Sequence, residues 1–168
     1  LATGNTVVLK PSELTPLTTL RMAELIAEHE ILPPGVLNVV TGQGESAGAS
    51  LVTHPLVRLI SLTGSVGTGK AIAKAASDSL ARVHLELGGK APVLVFDDAD
   101  LATVVEAVKI GGYYNAGQDC TAASRVVAAP GIYDDLVAAL ADAVSSLPVG
   151  DPTDEATDLG PVISSAQR

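Results

Sequence analysis

Short apolar runs separated by helix-like segments constrain the fold of this sequence more than any other feature. Two of these runs, residues 36–40 and 92–96, are apolar at nearly every position instead of at alternate positions. Continuous runs of this kind are typical of strands buried on both faces, as in parallel sheets covered by helices. The pattern therefore predicts an α/β fold, with a mostly parallel sheet and helices on both faces.

The same alternation predicts where the individual elements lie. Thr15 followed by Pro16 suits an N-cap and a first-turn proline, and the acidic run before Leu101 suits a second helix start. We predict strands at residues 5–10, 36–40, 56–62, 82–87, 92–96 and 125–128. We predict helices at residues 16–29, 71–78, 101–116 and 132–147, with a short one before Pro55.

The sequence LGGK at residues 87–90 is the best candidate for a domain boundary. Two glycines there separate two strand-like runs with no helix between them, unlike the alternation elsewhere. We therefore predict two domains, residues 1–87 and residues 88–168.

The composition excludes several classes of partner. The chain has 10 Lys and Arg against 19 Asp and Glu, a net charge of -9. Because this charge repels phosphate backbones and anionic lipids alike, we expect neither nucleic acid nor a membrane as a partner. No apolar run is long enough to span a bilayer, and Lys10, Pro11 and Glu13 argue against a signal peptide. The single cysteine excludes an internal disulfide framework and favours a reducing compartment, so we expect a cytoplasmic location.

A glycine cluster, TGSVGTGK at residues 63–70, follows a predicted strand and precedes a predicted helix. Its G-x-x-x-x-G-K spacing matches the start of a phosphate-binding P-loop, and VLVFDD at residues 93–98 imitates the strand and aspartate that would hold magnesium. A P-loop also needs a Ser or Thr hydroxyl directly after the lysine to bind magnesium, and this chain has Ala71 at that position. An NTPase built on this cluster and Asp97 is therefore an alternative whose metal ligand is missing.

The same cluster also suits a dinucleotide phosphate. Its glycines run G-x-x-G-x-G, which differs from the usual G-x-G-x-x-G fingerprint. Backbone N–H groups at a helix N-terminus, beside the hydroxyls of Ser65 and Thr68, can receive a phosphate. The alternative is a tight turn between strand and helix in which the glycines serve only the backbone.

Cys120 is the only cysteine and lies in YYNAGQDCTAASR, residues 113–125. A free cysteine is commonly a buried and inert residue. The small and polar residues on both sides of it instead indicate a loop that opens on a cleft, where backbone N–H groups can face an oxyanion. We take Cys120 as a candidate nucleophile and keep the buried thiol as the alternative.

Glu86 is the candidate base. A thiolate that attacks a carbonyl leaves a covalent intermediate, and hydrolysis of that intermediate needs a group that activates water. Glu86 lies in VHLELGG between Leu85 and Leu87, where apolar surroundings would strengthen it as a base. The alternative is a strand-edge carboxylate that faces water.

No metal site is expected. His29, His54 and His84 are dispersed without the spacing of metal ligands, so we expect structural or surface roles for them. The acidic run DDAD at residues 97–100 lacks the downstream glycine and glutamate of a calcium loop, and helix capping explains it more simply.

Six segments together closely resemble the NAD(P)-dependent aldehyde dehydrogenases. They are GNTVVLKPSELTPLT, LPPGVLNVVTGQG, LTGSVGTGK, LELGGKAPVLVFDDADL, NAGQDCTAASR and VGDPTDEATDLGPVIS. The resemblance spans nearly the whole chain in the family's order, and the glutamate and cysteine motifs are its most specific parts. Within the family, the cysteine segment is most similar to the aminobutyraldehyde and betaine-aldehyde group.

The resemblance implies a role for each candidate residue. It implies that residues 1–87 form a Rossmann-like cofactor portion and that residues 88–168 begin a catalytic domain. It also implies that Cys120 is the nucleophile and Glu86 the general base. The implied NAD contacts are Lys10 and Glu13 at the adenosine ribose, Gly44 near the adenine, and Gly64 with Ser65 at the pyrophosphate. Thr68 is a further candidate contact, because its hydroxyl near the helix N-terminus can donate to a phosphate. A carboxylate such as Glu13 would repel a 2′-phosphate and favours NAD, although Lys10 leaves NADP open.

The resemblance also implies the reaction and the assembly. It implies oxidation of a small, amino-bearing aldehyde to a carboxylic acid through a thiohemiacetal and a thioester on Cys120, in a homo-oligomeric parent enzyme. The family's oxyanion asparagine, its nicotinamide-ribose glutamate and its oligomerising strands are not among the motifs found. We therefore expect this chain to be the middle third of such an enzyme, with little turnover alone. A non-catalytic nucleotide-binding module is the remaining alternative.

Overall fold

The computed structural model describes residues 1–168 and confirms an α/β fold of mixed helices and parallel strands. The strands are β1 (Val7–Leu9), β2 (Leu37–Val39), β3 (Leu59–Gly64), β4 (Arg82–Leu87), β5 (Pro92–Val95) and β6 (Arg125–Ala128). The helices are α1 (Leu17–Glu28), α2 (Ala49–Val52), α3 (Val66–Ser79), α4 (Leu101–Tyr113) and α5 (Tyr133–Ser145), with a π-helical turn at Gly44–Gly48 and 3-10 turns at Tyr114–Gly117 and Ser165–Gln167. None of these helices is both long enough and apolar enough to cross a membrane.

The strands pair two by two. β1 runs parallel to β2, with Val7 opposite Leu37, and β5 runs parallel to β6, with Pro92 opposite Arg125. β3 pairs with β4. Helix α1 connects the first pair and α4 connects the third, as expected because a parallel pair needs a long crossover. Within this chain the strands thus form three two-stranded sheets instead of one continuous sheet.

Two predicted helix boundaries are wrong, and both errors arise at unusual backbone. Helix α3 begins at Val66 instead of residue 71, so the glycines at positions 67 and 69 are helical and Gly69 is buried. Helix α4 ends at Tyr113 instead of residue 116, because Asn115 and Ala116 adopt left-handed backbone angles with φ of 52° and 55°. The helix propensities of the individual residues reveal neither the helical glycines nor the left-handed backbone.

The two predicted helix starts have different outcomes. Asp100 caps α4 as expected: its Oδ1 accepts a 2.8 Å hydrogen bond from the Thr103 backbone N–H. Hydrogen bonds with the side chain and then the backbone of Thr103 lower the pKa of Asp100. At α1 the N-cap is Pro16 and not Thr15, and no side chain caps the helix.

The chain divides into two compact units. One comprises residues 1–63 and 67–86, and the other comprises residues 64–66 and 87–168. The core of the second unit is formed by Val95, Ile132 and Leu136. Many large apolar side chains are exposed within this chain, Leu80 among them at 89%. The assignment of residues 1–87 to a cofactor domain and 88–168 to a catalytic domain stays a prediction.

Leu136 provides a test of the second unit's core, because it is only 2% exposed. We expect Leu136→Ala to lower the free energy of opening of the β5–β6 pair by about 2–5 kcal/mol, through lost burial and the cavity left behind. Amide hydrogen exchange of peptides from these strands measures that energy. The neighbouring Val137, 48% exposed, supplies the control: Val137→Ala should leave the exchange nearly unchanged. Equal effects of the two substitutions would contradict this description of the core.

Candidate active site

Cys120 lies in the turn between α4 and β6, and its side chain is exposed. The thiol is therefore not buried within this chain, and its role as a nucleophile stays a prediction. The backbone N–H of Cys120 donates to no acceptor within the chain. An exposed sulfur beside an unpaired N–H is the combination that nucleophilic attack and oxyanion binding require.

A local hydrogen-bonded turn holds the Cys120 backbone. The Asp119 Oδ1 atom accepts from the Thr121 backbone N–H at 2.7 Å and from the Thr121 hydroxyl at 2.8 Å. These two hydrogen bonds, the backbone one first, lower the pKa of Asp119, and a smaller contribution comes from the Cys120 side chain. Asp119 is thus an ionised anchor that fixes the residues on either side of the thiol.

A strained segment lies just before this turn. Asn115, Ala116 and Gly117 have consecutive positive φ angles of 52°, 55° and 73°. For a residue other than glycine, this conformation costs about 1–3 kcal/mol and persists only where other contacts enforce it. Those contacts are made by Gln118: its Nε2 donates to the Asn115 carbonyl at 3.3 Å, and its Oε1 accepts from the Ile163 N–H at 3.1 Å. Strain of this kind concentrates at functional sites, which supports a functional reading of the segment.

The Cys120 loop also lies close to the second glycine of LGGK. A Cβ atom built on Gly89 would lie 3.1 Å from the Cys120 carbonyl oxygen, whereas one built on Gly88 would meet nothing within 4 Å. Gly89 therefore permits a close backbone approach that any side chain would disturb.

These two adjacent glycines form a matched pair for mutation. Gly89→Ala should push the Cys120 carbonyl away by a few tenths of an ångström and loosen the loop, whereas Gly88→Ala should not. We expect the rate at which iodoacetamide alkylates Cys120 to change about threefold or more in the first variant and to stay unchanged in the second. Identical alkylation rates in both variants would show that the close approach has no influence on the thiol.

Glu86 lies on β4, and its side chain is 59% exposed. The apolar surroundings predicted from Leu85 and Leu87 are not found within this chain, because successive strand side chains point to opposite faces. The residue that shares the face of Glu86 is His84, whose Nε2 lies 3.2 Å from the Glu86 Oε1 atom. The other ring nitrogen, Nδ1, lies 3.1 Å from the Ser61 hydroxyl oxygen on β3.

Sequence reasoning missed the partnership of His84 with Glu86. The two-residue spacing in VHLELGG was the available signal, since residues i and i+2 of a strand share a face. Glu86 belongs to the first compact unit and Cys120 to the second. A common cleft for these two side chains stays a prediction.

Lys10 and Glu13 lie together in the first unit. The Lys10 ammonium donates to the Pro11 carbonyl at 2.7 Å, to the Gly42 carbonyl at 3.0 Å and to Glu13 Oε2 at 3.4 Å. Each of its three N–H groups thus has an acceptor, and the contact with Glu13 is the longest. A hydrogen bond from the backbone of Glu13 and then one from Lys10 lower the pKa of Glu13, which stays ionised at neutral pH.

The remaining cofactor candidates lie at two backbone features. Gly44 begins the π-helical turn, and a Cβ built on it would meet nothing within 4 Å, so the space beside it is open. Gly64 ends β3, Ser65 alone separates β3 from α3, and Thr68 lies in the first turn of α3. The N-terminus of that 14-residue helix offers the oriented N–H groups that a phosphate needs.

The profile of the Aldehyde dehydrogenase family matches residues 1–168 of this chain. The chain belongs to the aldehyde dehydrogenase family. Betaine aldehyde dehydrogenase 2 of Rhizobium meliloti (strain 1021) is 48% identical to it over 168 residues. The mitochondrial succinate-semialdehyde dehydrogenase of Arabidopsis thaliana is 48% identical over 166 residues. The matches cover 100% and 99% of this chain but only 34% and 31% of the relatives, so the chain spans about one third of their length.

A solved structure of a family member shares the fold. Betaine aldehyde dehydrogenase from Staphylococcus aureus, determined in complex with NAD+, has a TM-score of 0.95 and 44% identity to this chain. The match covers 98% of this chain and 33% of that one. Both the family and the similarity to betaine aldehyde dehydrogenases, predicted above from six motifs, are thereby confirmed.

The NTPase alternative is not supported. A P-loop wraps a phosphate with a multi-residue loop between strand and helix, whereas only Ser65 separates β3 from α3 in this aldehyde dehydrogenase chain. Ala71 lies inside α3 and carries no hydroxyl for a metal. The G-x-x-x-x-G-K spacing is therefore a coincidence of glycines that belong to the strand end and to the helix.

Proposed function

We propose that the protein containing this chain oxidises an aldehyde to a carboxylic acid with NAD+, using Cys120 as nucleophile and Glu86 as general base. The observation that carries the proposal is the exposed thiol of Cys120, with its unpaired backbone N–H, in a loop fixed by strained and hydrogen-bonded backbone. Membership of the aldehyde dehydrogenase family supports the reaction class.

The proposed chemistry divides between the two side chains. The Cys120 sulfur, as thiolate, forms a bond to the aldehyde carbon, and the carbonyl oxygen becomes an oxyanion that the Cys120 N–H can hold. When bound, NAD+ would accept the hydride that this adduct loses on becoming a thioester. Glu86 then takes a proton from water, and the resulting hydroxide attacks the thioester carbon, so that the acid leaves and the Cys120 thiolate is restored.

The predicted cofactor contacts have the chemistry that a dinucleotide needs. The exposed carboxylate of Glu13 can accept from both ribose hydroxyls, and the Lys10 ammonium, whose contact with Glu13 is 3.4 Å long, lies beside it as a donor to the same ribose. Open space beside Gly44 suits the adenine, and the Gly64–Ser65 step with Thr68 at the start of α3 suits the pyrophosphate. The NAD+ complex of the Staphylococcus aureus relative supports NAD+ as the cofactor.

The relatives narrow the expected substrate. Several are betaine aldehyde dehydrogenases, which supports an amino-bearing aldehyde as the substrate. One is a succinate-semialdehyde dehydrogenase, so a carboxylate-bearing aldehyde is the second candidate. Other structures of the Staphylococcus aureus enzyme contain a cysteine in BME-free and BME-modified forms, which supports a reactive thiol in this group. A homo-oligomeric assembly and a cytoplasmic location complete the proposal.

Trapping the covalent intermediate tests the two catalytic roles. In the full-length enzyme with betaine aldehyde and NAD+, we expect acid-quenched wild type to carry an acyl group on Cys120 and Cys120→Ala to carry none. Glu86→Gln should still acylate but should hydrolyse the thioester about 10²–10⁴-fold more slowly, because its amide cannot accept the proton of water. Mass spectrometry of the quenched protein measures both.

An exposed acid on α4 provides the control for this experiment. Glu106→Gln removes a carboxylate that pairs only with Lys109 and should leave acylation and hydrolysis unchanged. NAD+ binding without any acyl adduct in the wild type, tested with betaine aldehyde and succinate semialdehyde in turn, would refute the proposed reaction and favour the non-catalytic nucleotide-binding module.

Cofactor choice is expected to depend on Glu13. Replacing it with serine removes the charge that repels a 2′-phosphate and leaves Lys10 without its carboxylate partner. We expect Glu13→Ser to raise kcat/KM for NADP+ relative to NAD+ by roughly tenfold, the equivalent of about 1.4 kcal/mol. Steady-state kinetics with each coenzyme measures the ratio. Glu155→Gln, an exposed acid of the second unit, controls for net charge, and an unchanged ratio in Glu13→Ser would exclude Glu13 from the ribose site.

A further inference from the structure

We propose that His84 is a positioning residue for Glu86: it orients the carboxylate through its Nε2 atom and is itself oriented by the Ser61 hydroxyl. The inference rests on the proposed role of Glu86 as general base. Its geometric basis is a continuous chain of contacts, 3.1 Å from Ser61 Oγ to His84 Nδ1 and 3.2 Å from His84 Nε2 to Glu86 Oε1. All three side chains lie in the first compact unit, on the paired strands β3 and β4.

The chemistry of the three groups permits one set of hydrogen-bond directions when the imidazole is neutral. An ionised Glu86 only accepts, so the His84 Nε2 atom must carry the proton and donate it to Oε1. Nδ1 is then an acceptor, and the Ser61 hydroxyl donates to it. Ser61 thus fixes both the tautomer and the ring orientation, as the outer partner of a histidine commonly does.

Few other charged side chains lie beside this pair. β3 has the sequence LISLTG and carries no ionisable side chain. On β4, the two-residue period places Arg82, His84 and Glu86 on one face. The pair of His84 and Glu86 is exposed by 61% and 59% in this chain. Exposed pairs contribute little to stability, so substitutions here should act on the chemistry and not on folding.

The test uses the full-length enzyme with betaine aldehyde and NAD+, and it follows acylation and thioester hydrolysis separately by quenching and mass spectrometry over a range of pH. We expect His84→Ala to slow hydrolysis about tenfold at the pH optimum, the cost of one hydrogen bond to a charged group, with acylation unchanged. Ser61→Ala should slow hydrolysis by a smaller factor, because the ring keeps its contact with Glu86 but loses its orientation.

His84→Gln is the conservative variant. Its amide keeps an N–H donor near the position of Nε2, so the hydrolysis rate should recover toward wild type. A purely structural role for His84 would leave His84→Gln as slow as His84→Ala, because the amide does not replace the imidazole ring. His29→Gln at the end of α1, remote in sequence from this group, is the control that should match wild type.

The outcomes separate the two proposals. If Glu86→Gln accumulates the acyl-enzyme while the His84 variants hydrolyse the thioester as fast as wild type, the positioning role is overturned and the proposed function stands. If Glu86→Gln hydrolyses the thioester as fast as wild type, the role of Glu86 itself is overturned, whatever the His84 variants do. Slow hydrolysis in His84→Ala with recovery in His84→Gln supports the positioning role.

Discussion

The parallel pairing of β5 with β6 is the interaction on which the surroundings of Cys120 depend. Because Pro92 lies opposite Arg125, the chain entering β5 and the chain entering β6 run side by side. Gly89 therefore meets the carbonyl of Cys120, and glycine is the residue that tolerates this approach. The core of Val95, Ile132 and Leu136 packs against this strand pair. The Cys120 loop is thus fixed both by its own hydrogen bonds and by a strand pair whose core lies elsewhere in the unit.

Much of the fold could be predicted from the sequence, because apolar runs and turn residues report local structure directly. The bounds of β4 and β6 agree with the prediction to the residue, and Asp100 caps α4 as expected. The failures are physically specific. The start of α3 was missed because glycine usually interrupts helices, whereas here a buried glycine lies inside one. The end of α4 was missed because left-handed backbone at Asn115 and Ala116 depends on Gln118 and Ile163, and Ile163 lies 45 residues farther along the chain.

Some features of the candidate site could be predicted from the sequence, but a smaller share of them than for the fold. The motifs located Cys120 and Glu86, and general chemistry then assigned their roles. Ligands in open α/β sheets commonly bind beyond the carboxyl ends of strands, yet Cys120 lies before the amino end of β6, so the general rule would not have located it. The two-residue spacing of a strand could have shown that Glu86 shares its face with His84 while Leu85 and Leu87 point away. Pairing between strands brings Ser61 to His84, and no reading of one segment contains that information.

The exposure of Cys120 has a consequence for the oxidation chemistry of the chain. An exposed thiol beside polar groups is accessible to peroxide, which converts its thiolate to sulfenic acid. A sulfenic acid is commonly rescued by a neighbouring thiol that closes a disulfide, but this chain contains a single cysteine. Within these 168 residues, reversal therefore relies on a small thiol from solution, and a second equivalent of peroxide would otherwise oxidise the sulfenic acid to the sulfinic acid, which is not readily reduced. The exposed sulfur that suits attack on a carbonyl is thus also open to peroxide.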